Sequence, residues 1–281
     1  MGRFLRSETA MNTKGKRVLI TGASGGLGTA TMTALVANGC KVIGIDRQSG
    51  AAEFENDTIV ADLTNELEVK EAVATAIARL GGLDVLINNA GVLDLQDPGD
   101  DPTSSAREHM EVNFLAPWRV TAAALPALVE SHGRVVNVSS LFAVVSAIFH
   151  PAYCSSKRAL VAYSDVLRIQ YGDRITVTCV YPGYMPTGIH RRVKQQGWSV
   201  AAVVTFRTGR SAFLSLEEPL DVAAQGMVRA CFGRPVRDRC LTFVGTLSFM
   251  AARHLPALVD WFIRWRVGYL IRAGMRIRLA K

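Results

Sequence analysis

The sequence has little of what marks a secreted, zinc-bound or membrane-spanning chain. Its five cysteines (Cys40, Cys154, Cys179, Cys231 and Cys240) are odd in number, and none forms a Cys-x-x-Cys pair. No histidine stands at metal-ligand spacing. Both facts argue against a disulfide framework or structural zinc and fit a reducing, cytoplasmic compartment. Residues 1–16 lack an apolar core of signal-peptide type and read as a short basic tail. The uncharged stretch 135–156 is interrupted by Asn137, His150 and Pro151, and the stretch 240–252 is too short to span a bilayer. No transmembrane helix is expected. Internal repeats, low-complexity segments and linkers are absent as well.

Negative charge is the scarcer sign, with 24 Asp+Glu against 32 Lys+Arg and a net charge of +8. Residues 253–281 alone hold seven Lys/Arg and one Asp, so most of the excess lies in the C-terminal tail. A tail of this kind suits either a solvated basic helix or contact with an anionic membrane surface; nucleic acid is not expected.

What is present is a chain of 281 residues that is 49% hydrophobic, enough for one substantial core. From Arg17 onward, strand and helix signals alternate. Short Val/Ile-rich runs at 17–21, 41–46, 58–61, 83–87, 133–139, 174–180 and 239–244 read as strands, apolar on both faces. Helical periodicity covers 27–38, 66–80, 104–130, 152–171 and 219–232. The alternation predicts an α/β fold: a single-domain, Rossmann-like, doubly wound parallel sheet of about seven strands with helices on both faces. The catalytic domain is expected over 17–252. A substrate-covering insertion is expected near 188–215, where the rhythm breaks, and a basic amphipathic tail over 253–281.

The first strand runs into Thr21-Gly22-Ala23-Ser24-Gly25-Gly26-Leu27-Gly28, after which a helix begins. Glycines allow a tight turn and close backbone approach to a pyrophosphate, which the helix N-terminus then attracts. Asp46 ends the second strand, 18 residues after Gly28. A carboxylate there accepts hydrogen bonds from a ribose and repels a 2′-phosphate, favouring NAD over NADP. Arg47 follows directly and is suited to meeting a 2′-phosphate, but the glycine turn itself offers no basic residue.

Tyr153 and Lys157 lie four apart at the start of a predicted helix, on one face. A free phenol has a pKa near 10. A neighbouring ammonium and a nicotinium charge are expected to lower it, so that Tyr153 takes an alcohol proton or returns it to a ketone. The bland reading is a surface pair. Ser140 stands at the end of the fifth strand, where its hydroxyl is placed to hold a substrate oxygen; Ser139 is expected to be structural. Asn113 sits mid-helix, a poor place for Asn. It reads either as a local irregularity or as an amide ordering a water in a proton path to Lys157.

Taken together, these residues resemble the short-chain dehydrogenase/reductase superfamily in its ordinary, non-extended form. The resemblance rests on the glycine turn, Asp62-Leu63, Asn88-Asn89-Ala90-Gly91, Asn113, Ser139-Ser140, Tyr153-Cys154-Ser155-Ser156-Lys157 and Pro182-Gly183-Tyr184-Met185-Pro186-Thr187. It implies a catalytic tetrad of Asn113, Ser140, Tyr153 and Lys157. It implies further that Asp62 and Leu63 flank the adenine, that Asn89, Ala90 and Gly91 line a cofactor ribose, and that Lys157 holds the nicotinamide ribose. Pro182, Gly183, Met185 and Thr187 would contact the nicotinamide. A homodimer or homotetramer is the family's usual assembly. The ending departs from many soluble members, with Val244-Gly245-Thr246-Leu247 in place of Asp-Gly-Gly. It looks more like members that act on retinoids, steroids or fatty acyl compounds at membranes.

On a helical wheel, Leu255, Leu258, Val259, Phe262, Trp265, Tyr269, Leu270 and Ile277 share a side, interrupted by Arg266 and Arg276. Such a helix suits a membrane interface, the protein's own core or a second subunit. Phe142, Val144, Ile148, Phe149, Tyr184, Trp198, Val203, Val204 and Phe206 are expected to line an apolar substrate pocket. Arg191, Arg192 and Lys194 are expected in solvent, the alternative being contact with an acidic substrate group. The leading expectation is an NAD-dependent oxidoreductase of a hydrophobic secondary alcohol or ketone, cytoplasmic or peripheral at a membrane. The alternatives are an NADPH-dependent ketone or acyl reductase and a non-catalytic, lipid-associated nucleotide-binding scaffold.

Overall fold

The structure is a computed structural model that describes residues 11–197, 205–208 and 211–272. Seven parallel strands form the central sheet in the order β3-β2-β1-β4-β5-β6-β9. They are β1 (Arg17–Thr21), β2 (Lys41–Asp46), β3 (Thr58–Val60), β4 (Val85–Asn88), β5 (Arg134–Val138), β6 (Thr176–Val180) and β9 (Asp238–Arg239). Val18, Leu19 and Ile20 have no exposed surface, because side chains from both faces of β1 enter a core. On one face the sheet meets α1 (Gly26–Ala37) and α7 (Leu220–Phe232). On the other it meets α2 (Glu66–Leu80), α4 (Ala116–Glu130) and α5 (Pro151–Tyr171). This is the doubly wound architecture expected from the alternation. The strand order turns back between β1 and β4, which opens a crevice at the carboxyl ends of those strands.

Local chemistry sets the boundaries. Asn65 caps α2 by accepting from the Leu67 and Glu68 amides, and Gly81 ends it at φ 73°. The helix expected over 104–130 is divided: α3 (Ser104–Met110) passes through a π-turn at Glu111–Leu115 into α4. This run is long and apolar enough to cross a membrane, yet Ala116, Val120, Ala124 and Leu128 are completely buried in the core. The strand expected over 239–244 is shorter than its apolar run suggested. Only Asp238 and Arg239 pair with β6, because Thr242 accepts from the Gly245 amide and starts α8 (Phe243–His254).

The rhythm does break after β6. A short α6 (Arg191–Gln195) precedes an antiparallel pair, β7 (Thr205–Thr208) with β8 (Ser211–Ser215). Trp198, Val203 and Val204 lie outside the described residues, as does the side chain of Phe206 on β7. Helix α9 (Pro256–Arg272) follows α8 and runs beside the crevice.

Candidate active site

A cleft of about 870 Å3 opens at the carboxyl edge of the sheet. Its first wall is the turn after β1. Gly22 has φ 69°, and a Cβ there would come within 2.7 Å of the Ala90 Cα; a Cβ on Gly28 would sit 2.0 Å from the Gly22 carbonyl. A Cβ on Gly26 would strike Thr187 at 2.9 Å. These glycines bring three backbone segments together as only glycine can. Helix α1 begins here with Gly25 as its cap and no side-chain cap bond, so no side chain occupies the amides of its first turn. The cradle fits a pyrophosphate.

Neighbouring residues brace that turn. The Thr21 hydroxyl accepts from the Asn89 and Ala90 amides at 3.1 and 3.2 Å, and the Asn89 side chain donates to the Thr21 and Gly22 carbonyls. Asp46 accepts from the Ser24 amide at 3.0 Å, tying the turn to the end of β2. Arg47 and Leu63 line the cleft beside it. Asp62 does too, and its carboxyl is held below the usual range first by the Thr64 amide, with Arg47 a smaller influence. Gly91, Pro182, Gly183, Met185 and Thr187 complete this half, so the structure gathers the sequence-expected nucleotide residues around one cleft.

The other half holds Ser140, Tyr153 and Lys157, with Asn113 packed against Gly91 behind it. A Cβ on Gly91 would be 3.2 Å from the Asn113 Oδ1 and 3.4 Å from the Lys157 Nζ. Asn113 is fully buried in the π-turn. Its Oδ1 accepts from the Val92 amide at 2.8 Å, and its Nδ2 donates to the Val92 carbonyl and to Ser156. The helix irregularity is therefore real: it turns the amide into a clamp on the strand end after β4. Ser139 donates to the Lys157 carbonyl, the structural role expected of it, while Ser140 faces the cleft.

Lys157 is 3% exposed; its Nζ donates to the Val138 carbonyl at 2.9 Å and lies 5.9 Å from the centroid of the Tyr153 ring. Burial lowers the ammonium to about 8. Burial also pushes Tyr153 up to about 12, opposed by a hydrogen bond with Ser140. The protein's own residues raise the phenol, and the lowering expected above included a nicotinium charge that only a bound cofactor supplies. Desolvation outweighs any help from Lys157, so lowering requires a positive charge brought by a ligand.

The far side of the cleft is largely apolar. Phe142 stands edge-on to Tyr153 at 6.1 Å, and Ile148, Ile189 and Tyr184 join it. Phe149 does not line the cleft. Its backbone is left-handed at φ 60°, its carbonyl accepts from the Gln96 amide, and its ring packs in the cluster of Leu93, Leu95 and Tyr153. Val144 likewise packs behind, near Ala143 and Phe249. Arg192 is committed to Glu108, with its guanidinium nitrogens 2.5 and 3.0 Å from the two carboxylate oxygens.

Four groups went unnoticed in the sequence. His150 donates from Nδ1 to the Ile148 carbonyl, which leaves a buried, unpartnered Nε2 in the cleft wall. His190 has an unpartnered Nδ1, and its ring lies 4.8 Å from Tyr184. Burial holds each near 4, so both are neutral imidazoles at physiological pH. His109 stands edge-on to Tyr153 at 6.2 Å. Glu218 is a buried carboxyl under Gly183, raised by desolvation. The i, i+3 spacing of His150 and Tyr153 was the only sequence signal for the first of these. Val259, Phe262, Ile263 and Val267 of α9 also face the cleft, which splits the single apolar stripe expected for the tail. Leu270 and Ile277 have no described side chain.

Comparison with known proteins agrees with this geometry. Residues 16–198 match the profile of the family described as short chain dehydrogenase. An L-fucose dehydrogenase of Bos taurus is 30% identical over 233 residues, covering 79% of this chain and 86% of its own. Dehydrogenase/reductase SDR family member 7B of Danio rerio is 33% identical over 266 residues, covering 88% and 84%. Among solved structures, a short chain dehydrogenase from Burkholderia cenocepacia J2315 in complex with NADP superposes with a TM-score of 0.72. It is 23% identical and covers 90% of this chain and 99% of its own, a likeness of fold.

Proposed function

The chain belongs to the short-chain dehydrogenase family of NAD(P)-dependent oxidoreductases, and from that premise we propose that it interconverts a hydrophobic secondary alcohol and its ketone with NAD(H). The observation that carries this reading is the convergence of Ser140, Tyr153 and Lys157 at the junction of a nucleotide cradle and an apolar chamber. When bound, a nicotinamide dinucleotide supplies the hydride acceptor or donor. The Gly22–Gly28 turn and the α1 N-terminus hold its pyrophosphate. Asp62 and Leu63 flank its adenine, Asn89, Ala90 and Gly91 its ribose, and Pro182, Gly183, Met185 and Thr187 its nicotinamide end. Ser140 holds the substrate oxygen, Tyr153 carries the proton, Lys157 favours the phenolate, and Asn113 positions the strand end beside them.

The apolar walls at Phe142, Ile148 and Phe262 support a bulky apolar skeleton. The bare Nε2 of neutral His150 accepts a hydrogen bond, which favours a skeleton bearing a second hydroxyl. Turnover of a panel of aliphatic, aryl, steroid and hydroxylated alcohols with each oxidised nucleotide tests both points. Confinement to small polar alcohols would overturn the substrate reading.

Asp46 supports NAD as the cofactor, since its carboxylate faces the cleft where a 2′-phosphate would have to sit. The NADPH-dependent reading rests on Arg47 beside it. Wild-type protein is expected to use NAD in preference, and Asp46→Ala to shift kcat/KM toward NADP by about tenfold or more, worth about 1.4 kcal/mol. A wild-type preference for NADP overturns the Asp46 argument.

We also propose a second copy of the chain against α4 and α5. Trp118 stacks on Tyr163 at 5.2 Å there, and Val166 and Ile169 stand exposed, Ile169 at 86%. Sizing in solution is expected to give an oligomer that Ile169→Asp weakens; a monomeric wild type contradicts it.

A further inference from the structure

Helices α8 and α9 present a second apolar surface, on the outer side of the wall that closes the substrate chamber. On α8 it consists of Phe243, Leu247 and Met250, spaced i, i+4, i+7. On α9 it consists of Leu258, Trp261, Trp265 and Tyr269, spaced i, i+3, i+7, i+11. Each set therefore falls on one face of its helix. The exposures are too large for incidental surface residues: Phe243 is 76% exposed, Trp261 61% and Trp265 48%. The Trp261 and Trp265 rings lie nearly parallel, 6.4 Å apart. The adjoining face of α9, through Val259, Phe262, Ile263 and Val267, lines the cleft, with the Phe262 ring 6.0 Å from that of Trp265. One helix thus has an apolar inner face on the substrate chamber and an aromatic outer face toward solvent.

Charge selects what covers the outer face. Arg272 is exposed on it, Arg253 and Arg264 are exposed at its flank, and Asp260 is the one acidic residue in 253–281. An isologous contact with a second copy would bring this basic surface against itself. An anionic bilayer surface accepts both parts: indole rings settle at the headgroup level, and arginine heads meet lipid phosphates.

We propose that the α8–α9 face docks this protein on an anionic lipid bilayer, leaving the substrate chamber directly behind the docked helix. The docking stands on the surface alone. An apolar alcohol dissolved in the bilayer would then reach the chamber past α9 without crossing bulk water, and that consequence rests on the substrate reading above.

Co-sedimentation of the full chain with vesicles tests the docking without any turnover. Vesicles of equal parts phosphatidylcholine and phosphatidylserine are expected to pellet the protein, with binding that falls as salt rises. Trp261→Glu/Trp265→Glu changes only exposed positions and is expected to weaken binding by about tenfold or more. Arg253→Gln/Arg264→Gln/Arg272→Gln is expected to reduce binding to the level seen with pure phosphatidylcholine. Circular dichroism and sizing accompany each variant. The proposal is overturned if wild type stays in the supernatant, or if the tryptophan variant pellets as wild type does. It is also overturned if that variant only halves the solution mass, which would assign the face to a second copy. None of these results bears on Tyr153 chemistry, so the two readings fail separately.

Discussion

Replacing Lys157 by methionine is expected to lower turnover by about 10²–10⁴-fold while making the protein more stable. The two effects share a cause. The Lys157 ammonium lies inside the fold, 3% exposed, and burial brings it to about 8. A folded-state value below the unfolded one of 10.5 means that the charged lysine opposes folding. That opposition is fully present below about 8 and is relieved as pH rises from about 8 toward 10.5. At pH 7 it amounts to roughly 3 kcal/mol, from which the Val138 carbonyl's lost donor subtracts about 1–2 kcal/mol. A net gain of about 1–2 kcal/mol is therefore expected for Lys157→Met near neutrality, disappearing toward pH 10. Urea unfolding of both proteins across that range measures the difference. A variant less stable at pH 7 would show that the lysine is structural.

A loss of function of the same order is expected from Tyr153→Phe, with the fold intact. The ring's edge-on contacts with Phe142 and His109, at 6.1 and 6.2 Å, survive in phenylalanine. What disappears is the hydroxyl and its hydrogen bond with Ser140. General acid–base participation contributes about 10²–10⁴-fold, so kcat falls by that order while nucleotide affinity stays within a few-fold. Burial raises the phenol and a bound nicotinium charge lowers it, so alcohol oxidation is expected to climb with pH as the phenol ionises. The variant loses that climb.

The parts of the molecule legible in the sequence are those set by short-range chemistry. The strand–glycine–helix turn requires its glycines in consecutive order, and the Tyr153–Lys157 spacing places both on one helix face wherever that helix packs. Asp46 is fixed to the cleft because β2 is parallel to β1, which alternation alone implies. Other features depend on distant partners. The π-turn showed in the sequence only as an ill-placed Asn113, since its stabilising bonds go to Val92, 21 residues away. The apolar run after Arg239 looks like a strand until Thr242 captures the Gly245 amide. Phe149 reads as a pocket residue, but a left-handed backbone packs it elsewhere. His150 and His190 meet the same cleft from separate elements, and no local pattern encodes that. The tail helix offered one amphipathic stripe. The structure divides it into an inner face at Val259, Phe262, Ile263 and Val267 and an outer one at Trp261 and Trp265, and it buries Arg266.

The direct test of the account is a single comparison. Wild-type protein and Tyr153→Phe are supplied with saturating NAD and an alcohol drawn from the panel, and the near-ultraviolet absorbance of the reduced nicotinamide is followed. Nucleotide binding is measured on both samples. Turnover is expected in the wild type, with a loss of about 10²–10⁴-fold in the variant and nucleotide affinity nearly unchanged. Equal turnover in the two proteins would move the proton to another group and contradict the site described for Tyr153.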